Sequence, residues 1–144
     1  MILLDTNVVS ELARGVAPRD VATWLDRRFP ECAIASITIF ELGAGLALLP
    51  AGQRRNKLSE AIGRVIRRFG PRVYAFDAQA AQASVKLLEH ARAHGLGIHQ
   101  IPHKLADLQR AGIALAYGMQ FATRNTSDFQ GTGLVLINPW EPTS

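Results

Sequence analysis

The chain alternates short apolar runs with longer helical patterns, and this alternation constrains the fold more than any other feature. Strand-like runs span residues 2–4, 32–35, 73–76, 120–123 and 135–137. Helical patterns span residues 18–29, 37–49, 51–69, 78–94 and 106–117, and helix-like sequence also follows the first strand directly. Asp77 is the expected N-cap of the helix 78–94, and residues 94–104 are expected to form a loop. Because neighbouring parallel strands need long crossover connections, usually helices, this order predicts an α/β fold with a central, mostly parallel sheet flanked by helices on both faces.

The composition is that of a globular protein. Hydrophobic residues make up 48% of the chain and charged residues 19%, and its 144 residues fit a single domain without linkers or repeats. The longest apolar run, residues 37–49, is interrupted by Glu41, so no membrane span is predicted. The sole cysteine, Cys32, excludes an intramolecular disulfide and is expected to be a small buried strand residue. We therefore expect a cytoplasmic protein with no membrane association.

Three acids occupy positions that an ordinary surface does not explain. Asp5 follows the first apolar strand, and Asp107 opens an apolar helix. Glu41 is the only charge in its helix, which is apolar on nearly every face and is therefore expected to be buried. Strand ends and helix starts of a doubly wound sheet meet in one crevice, where the three carboxylates would repel each other unless a cation neutralised them. All-oxygen ligands favour Mg²⁺ or Mn²⁺ over zinc.

Each candidate also has a purely structural interpretation. Asp5 and Asp107 could act only as helix N-caps, and Glu41 could pair with a buried arginine or hydroxyl. The polar turn formed by residues 122–129 could hold a water and contact a phosphate, or could simply bond to its own backbone. The four histidines are expected on a solvated helix face and loop rather than in a metal site: His90, His94, His99 and His103.

A basic patch is predicted on one helix and its exit. Its members are Arg54, Arg55, Lys57, Arg64, Arg67, Arg68 and Arg72, with Glu60 the only acid among them. Such a patch attracts a phosphate backbone, and the overall formal charge of +4 is compatible with a polyanionic partner. A solvated helix face opposite the apolar stripe is the alternative, and the sequence does not decide between the two.

Five short motifs together resemble the PIN domain of VapC-type ribonuclease toxins. They are Met-Ile-Leu-Leu-Asp-Thr-Asn at the start, Thr38-Ile39-Phe40-Glu41-Leu42, Ala106-Asp107-Leu108-Gln109, Ala122-Thr123-Arg124-Asn125 and Ile137-Asn138-Pro139-Trp140. The resemblance covers the whole chain. It implies a single PIN-like domain, an endoribonuclease dependent on Mg²⁺ or Mn²⁺, a homodimer, an RNA substrate, and inhibition by a cognate antitoxin.

The resemblance also implies roles for particular residues. Asp5 and Asp107, with Glu41 directly or through water, would hold the metal. The family's fourth acid often stands at Asn125, and the nearest acid here is Asp128, so either residue could orient the attacking water. Substrate contacts are expected from Thr6 beside the first acid, from Thr123 and Arg124 in the polar turn, and from Arg64 and Arg68 in the basic patch. Arg110 replaces a usual aliphatic residue; its expected state is a solvent-exposed side chain, although pairing with Asp107 or a phosphate contact is also open.

Two other function classes remain open at this stage. A receiver-like signalling domain would need an acceptor aspartate after the third strand, where Asp77 stands, and a paired acidic motif after the first strand, where Asp5 is alone. A catalytically weak PIN-like module that only binds RNA or a partner would be compatible with the missing fourth acid.

Overall fold

Five parallel strands form one sheet in this computed structural model, which describes residues 1–95 and 104–141. The strands are β1 (Ile2–Leu4), β2 (Cys32–Ala35), β3 (Val73–Tyr74), β4 (Gln120–Ala122) and β5 (Leu136–Ile137). Their spatial order is β3-β2-β1-β4-β5, and every neighbouring pair is parallel. The predicted α/β fold is confirmed, with a sheet that is wholly parallel.

The strand order reverses between β1 and β4. From β1 the chain moves outward to β2 and β3 on one side, and it then crosses to β4 and β5 on the other. Ile2 pairs with Cys32 of β2 and with Gln120 of β4, so β1 is the central strand. In sheets of this kind the ligand crevice lies beyond the carboxyl ends of the strands at the point of reversal. The residues that follow β1 and β4 therefore face each other across that crevice.

Six helices connect the strands within the described part of the chain. They are α1 (Thr6–Arg14), α2 (Arg19–Arg28), α3 (Ser36–Ala47), α4 (Gln53–Phe69), α5 (Ala78–Ala93) and α6 (Leu105–Ala116), with 3₁₀ turns at Phe29–Glu31 and Thr126–Phe129. All the predicted helices are present, with ends that differ from the prediction by one or two residues. Asp77 caps α5 as its sequence indicates, because its carboxylate accepts a hydrogen bond from Ala80 N at 2.9 Å.

The hydrophobic core has two layers, one on each face of the sheet. Leu3 of β1 faces the layer built with α5 and α6, whereas Ile2 and Leu4 face the layer built with α1, α2 and α4. Side chains alternate along a strand, so a three-residue strand serves both layers. Cys32 is buried and free, and burial raises the pKa of its thiol to about 11, which fits a packing role. No helix in the described part of the chain is long and apolar enough to cross a membrane.

Helix α3 is less enclosed than its sequence predicts. An apolar composition on nearly every face indicated a buried helix, but Phe40 is 74% exposed and Leu48 is 87% exposed. The buried residues of α3 are Thr38 and Leu42 alone, because its described neighbours α1, α4 and α6 cover only one side. The prediction of a fully buried helix was therefore wrong, and an apolar surface remains. The predicted loop 94–104 falls mostly outside the described residues, as do His99 and His103.

Candidate active site

Asp5 lies at the centre of the crevice because it is the first residue after the central strand. Its side chain is only 3% exposed. Oδ1 accepts a hydrogen bond from Thr6 N at 2.7 Å, and this contact caps α1. Oδ2 accepts a hydrogen bond from the Thr123 hydroxyl at 2.9 Å, across the gap between β1 and β4. Both oxygens are thus fixed, and the predicted N-cap role coexists with a central place among the acids.

Glu41 reaches the same crevice from the second turn of α3. The Thr6 hydroxyl donates a hydrogen bond to Glu41 Oε1 at 2.9 Å, and the hydroxyls of Thr6 and Thr38 are 3.0 Å apart. The Glu41 side chain is 34% exposed, so its predicted complete burial was wrong. Partial exposure places this carboxylate on the open side of the crevice, where water or a ligand can reach it.

Asp107 completes the group from the first turn of α6. The N-cap residue of α6 is Lys104, which makes no side-chain cap, so Asp107 is not the N-cap. Burial, followed by the charges of Asp5 and Asp128, raises the pKa of Asp107 to about 7, and Lys104 opposes the rise. Ionisation of Asp107 is therefore costly in the metal-free protein, and a bound cation would strongly stabilise its ionised form.

Arg110 lies among these acids, a position that the favoured solvent-exposed interpretation missed, although its pairing with Asp107 was left open and is present. Its side chain is 2% exposed, which contradicts the expected solvent-exposed arginine. One terminal nitrogen contacts Glu41; the other contacts Asp107 and lies 3.1 Å from Asp5 Oδ1. The i, i+3 spacing from Asp107 was a usable signal, because it puts both side chains on one face of α6. The exposed interpretation failed because that face of α6 is turned towards the strand ends.

The three acids have suitable chemistry for a hard divalent cation, with one condition. Among residues 1–95 and 104–141, no three His, Cys, Asp or Glu side chains are arranged to hold a metal ion. Arg110 stands between the acids instead, and the same carboxylates already surround this one cationic group. Oxygen-only donors and excess negative charge suit Mg²⁺ or Mn²⁺. The fit therefore requires the Arg110 guanidinium to move, and the metal site stays a prediction.

The turn after β4 brings further polar groups to this edge. Asn125 donates its backbone N–H to the Thr123 hydroxyl at 3.1 Å. Asp128, in the 3₁₀ turn, pairs with Lys104 at 3.1 Å, and its charge contributes to the raised pKa of Asp107. Asp128 is thus electrostatically part of the acid group, which favours it over Asn125 as the fourth site residue. Arg124 is half exposed and lies 4.2 Å from the centre of the Trp140 ring.

The part of the basic patch at the end of α4 is not brought to the acids. Arg64, Arg67 and Arg68 are exposed, and the Arg68 guanidinium lies 4.3 Å from the centre of the Phe29 ring. Phe29 immediately precedes the start of β2, so Arg68 is at the edge where the parallel strands begin, opposite the acids. Arg72 donates hydrogen bonds to the carbonyls of Phe29 and Cys32 at 2.6 and 2.7 Å, which is a structural role.

A groove of about 510 Å³ lies between α1 and α4, beside Arg14, Arg54 and Lys57. Asp5, Glu41 and Asp107 are not among the residues that line it.

Asp77, the residue that a receiver-like domain would use, is also separate from the acids. It follows β3, an edge strand, and it accepts hydrogen bonds from Ala80 N and from the Tyr117 hydroxyl. The receiver-like order is 2-1-3-4-5, in which the third strand is central, whereas β1 is central here. The described histidines His90 and His94 stack on each other, with ring centres 4.0 Å apart, and form no metal group with other described residues.

Comparison with known proteins gives consistent relatives along the whole chain. The plasmid stability protein StbB of Pseudomonas syringae pv. tomato is 42% identical over 143 residues, covering 98% of this chain and 99% of the relative. The VapC ribonuclease Y4jK of Sinorhizobium fredii is 40% identical over 144 residues, covering 99% of each. Toxin FitB of Neisseria gonorrhoeae is 34% identical over 142 residues, covering 97% of this chain and 99% of the relative. No family model matches the chain.

Solved structures agree with these relatives. The structure of FitAB bound to an IR36 DNA fragment superposes with a TM-score of 0.85 at 32% identity, covering 100% of this chain and 99% of that one. A toxin-antitoxin complex from Klebsiella pneumoniae has a TM-score of 0.71 at 22% identity, covering 99% of this chain and 100% of that one, which is a likeness of fold alone.

Proposed function

Since the chain belongs to the family of VapC-type toxins, we propose that it is a PIN-domain endoribonuclease that acts as the toxin of a toxin–antitoxin pair. The observation that carries this proposal is the meeting of Asp5, Glu41 and Asp107 around one cationic group at the point where the strand order reverses. The fold gives no structural reason for three carboxylates to meet there, whereas phosphodiester hydrolysis assisted by a divalent ion needs a group of carboxylates that holds the ion.

In this proposal Asp5, Asp107 and Glu41 hold Mg²⁺ or Mn²⁺. The bound cation would supply positive charge that lowers the pKa of water and stabilises negative charge developing on the phosphate. Asp5 is suited to its role because Thr6 N and the Thr123 hydroxyl fix both of its oxygens. The Thr6 hydroxyl orients Glu41 in the same way. These contacts keep the carboxylates in place before a ligand arrives, so less reorganisation accompanies binding.

Further residues would act on the RNA and on the water that attacks it. Asp128 is our choice for orienting that water, with Asn125 as the alternative, because the charge of Asp128 already influences Asp107. Thr6, Thr123 and the half-exposed Arg124 are proposed to contact phosphate oxygens near the scissile bond. Arg64 and Arg68 lie towards the opposite edge of the sheet, so they could serve only a more distant part of a long RNA. Such contacts would set affinity and register without reading sequence.

A cognate antitoxin and a second copy of the chain are the proposed protein partners. The antitoxin is proposed because relatives at full coverage are toxins and because this chain shares their fold. The homodimer is supported by the exposed apolar side of α3, which carries Phe40, Gly43, Ala47 and Leu48. Apolar patches of this kind mark interaction sites. We place the protein in the cytoplasm, where RNA is available and the free thiol of Cys32 would stay reduced.

Cleavage of labelled RNA in Mg²⁺ or Mn²⁺, compared with EDTA, tests this function. We expect metal-dependent cleavage by the unaltered protein and a loss of at least about 100-fold in Asp5→Asn, because the substitution removes a charge that the cation needs. Asn keeps an oxygen for the cap of α1, so the thermal unfolding of the variant should stay cooperative. Asp26→Asn, an exposed acid on α2, is the matched control and should cleave normally. Full activity of Asp5→Asn would contradict the proposal.

The second candidate is a catalytically weak module that only binds RNA or the antitoxin. The observation that favours it is the position of Arg110, whose guanidinium contacts the carboxylates that would hold the metal. Retention of RNA without cleavage at saturating Mg²⁺ and Mn²⁺ would support this candidate, and metal-dependent cleavage would exclude it.

A further inference from the structure

Arg110 is a buried cation enclosed by the three acids. Its terminal nitrogens contact Glu41, Asp107 and Asp5, and its side chain is 2% exposed. Its Nε atom is buried without a hydrogen-bond partner among the described residues. A guanidinium taken out of water costs several kcal/mol unless charged partners compensate. The three carboxylates are therefore the reason that this side chain is held in the crevice.

The acids depend on Arg110 in turn. Three ionised carboxylates carry a formal charge of −3, and Arg110 supplies the positive charge that lies in direct contact with all of them. Lys104 is paired with Asp128, and its positive charge also favours the ionised form of Asp107. Without the guanidinium, the carboxylates would repel each other at close range in a partly desolvated site. Arg110 is thus the counter-ion that lets the acids stay together when no metal is bound.

A divalent cation and the guanidinium compete for the same atoms. Asp5 Oδ1, Glu41 Oε1 and Asp107 Oδ1 are the oxygens that contact Arg110, one from each acid. A coordinated Mg²⁺ binds such oxygens at about 2.0–2.1 Å, well inside the distance of about 2.8 Å at which an N–H donor approaches them. Both cations cannot share one position between three carboxylates. The partly exposed side chains of Glu41 and Asp107 mark the open side towards which a flexible arginine head can withdraw.

We infer that Arg110 is an internal counter-ion that occupies the cation position of the metal-free protein and withdraws when a divalent cation binds. The inference rests on the proposed function only in that the three acids take up such a cation. Metal binding then includes the cost of displacing the guanidinium, so Arg110 sets the metal affinity below the value that the acids alone would have. The site fills only above a threshold of free cation, and Arg110 keeps the apo-protein folded below it.

The test compares Arg110→Met with the unaltered protein by calorimetric titration of Mn²⁺ alone. Met retains an unbranched side chain of similar length without the charge. We expect Arg110→Met to bind Mn²⁺ at least about tenfold more tightly, because no paired cation has to be displaced. It should also unfold at a lower temperature in EDTA and gain more thermal stability from Mn²⁺. Arg28→Met is the matched control, because Arg28 pairs with the exposed Glu31 away from the acids. Unchanged or weaker Mn²⁺ binding by Arg110→Met overturns the inference.

A second measurement covers the case in which Arg110→Met does not fold without metal. In the unaltered protein, the NMR signal of the Arg110 Nε–H group is followed during titration with Mg²⁺. A large shift that saturates with metal binding supports withdrawal, and an unchanged signal at saturation overturns it.

RNA cleavage assayed in parallel separates this inference from the proposed function. Tighter Mn²⁺ binding by Arg110→Met, with no RNA cleavage by either protein, would support the inference and contradict the proposed nuclease function. Metal-dependent RNA cleavage, with the same Mn²⁺ affinity in Arg110→Met and the unaltered protein, would support the nuclease function and contradict the inference.

Discussion

At the scale of single residues, Asp5 combines a structural role with the proposed catalytic one. Its backbone position after the central strand makes it the cap of α1, and its second oxygen links β1 to the residue after β4 through Thr123. In Asp5→Asn the amide oxygen can still accept from Thr6 N, and the amide NH2 can donate to the Thr123 hydroxyl, but the side chain carries no charge. The chemistry of the site and the stability of the fold can therefore be separated at this one position.

The raised pKa of Asp107 predicts how stability depends on pH. Its pKa is about 7 in the folded protein, against an ordinary value of 3.8, so the folded state holds the proton more tightly than the unfolded state. The free energy of unfolding should therefore fall as pH rises from about 4 to about 7, and the cost is fully present above that window. Urea unfolding in EDTA measures this as the difference between the unaltered protein and Asp107→Asn, which lacks the titrating group.

As pH rises, the free energy of unfolding of Asp107→Asn should increase relative to that of the unaltered protein. Saturating Mn²⁺ should abolish this trend, because a bound cation favours the ionised carboxylate. Asp26→Asn, at an exposed site, serves as the control and should follow the unaltered protein at every pH. A difference that stays constant across the window would mean that Asp107 is not perturbed as described.

At the scale of elements, the close approach of α5 and α6 positions Asp107. Gly112 of α6 packs directly against Ser84 of α5, and a Cβ atom at Gly112 would stand only 2.8 Å from the carbonyl oxygen of Ala80. The Ser84 hydroxyl donates to the carbonyls of Ala80 and Leu108, at 2.9 and 3.3 Å, and so joins the two helices. Asp107 is adjacent to Leu108, so the packing of this pair fixes the start of α6 in the crevice.

Gly112→Ala should destabilise the protein by about 1–3 kcal/mol, because the added methyl group forces α5 and α6 apart. Thermal unfolding followed by circular dichroism measures the loss. Gly45→Ala is the matched control: it lies in α3 with no atom within 4 Å of the added Cβ, and it should leave stability unchanged or raise it. Equal melting temperatures for both variants would contradict the close packing.

The elements were predictable from the sequence because each rule used is local. Apolar runs, helical periodicity and the Asp77 cap gave the strands and the helices α2 to α6 to within two residues at their ends, and helix-like sequence indicated α1 without its bounds. Two features depend on tertiary contacts and were missed. The exposure of Phe40 on α3 reflects which neighbours cover that helix, and the burial of Arg110 reflects where a face of α6 points. The spacing of residues along one helix indicates which side chains share a face, as Asp107 and Arg110 do, but not where that face points.

At the scale of the whole molecule, the strand order decides which sequence-distant residues meet. Sequence alone indicated that strand ends would converge, but not that β1 and β4 would be neighbours. That pairing joins Asp5 to Thr123. Asp77 follows the outer strand β3, and Arg68 lies at the end of the sheet where the strands begin. The three acids of the candidate site were predictable as a group; the separation of Arg68 from them was not.

The exposed apolar side of α3 predicts an oligomeric state. Phe40→Glu should convert a homodimer into a monomer, because it puts a charge at the centre of an apolar contact. Light scattering after size-exclusion chromatography measures the mass. Val85→Glu, an exposed apolar residue on α5, is the control and should leave the mass unchanged. A monomeric unaltered protein, or a dimer that survives Phe40→Glu, would remove α3 from the proposed interface.

The central claim is that one divalent cation binds among residues from three separate segments of the chain. The anomalous difference map of crystals grown with saturating Mn²⁺ tests it most directly. The expected result is a peak at about 2.2 Å from carboxylate oxygens of both Asp5 and Asp107, with Glu41 beside it or one water away, and with the Arg110 guanidinium displaced. A map in which this crevice holds no peak, while Arg110 keeps its contacts with the three acids, would contradict the claim.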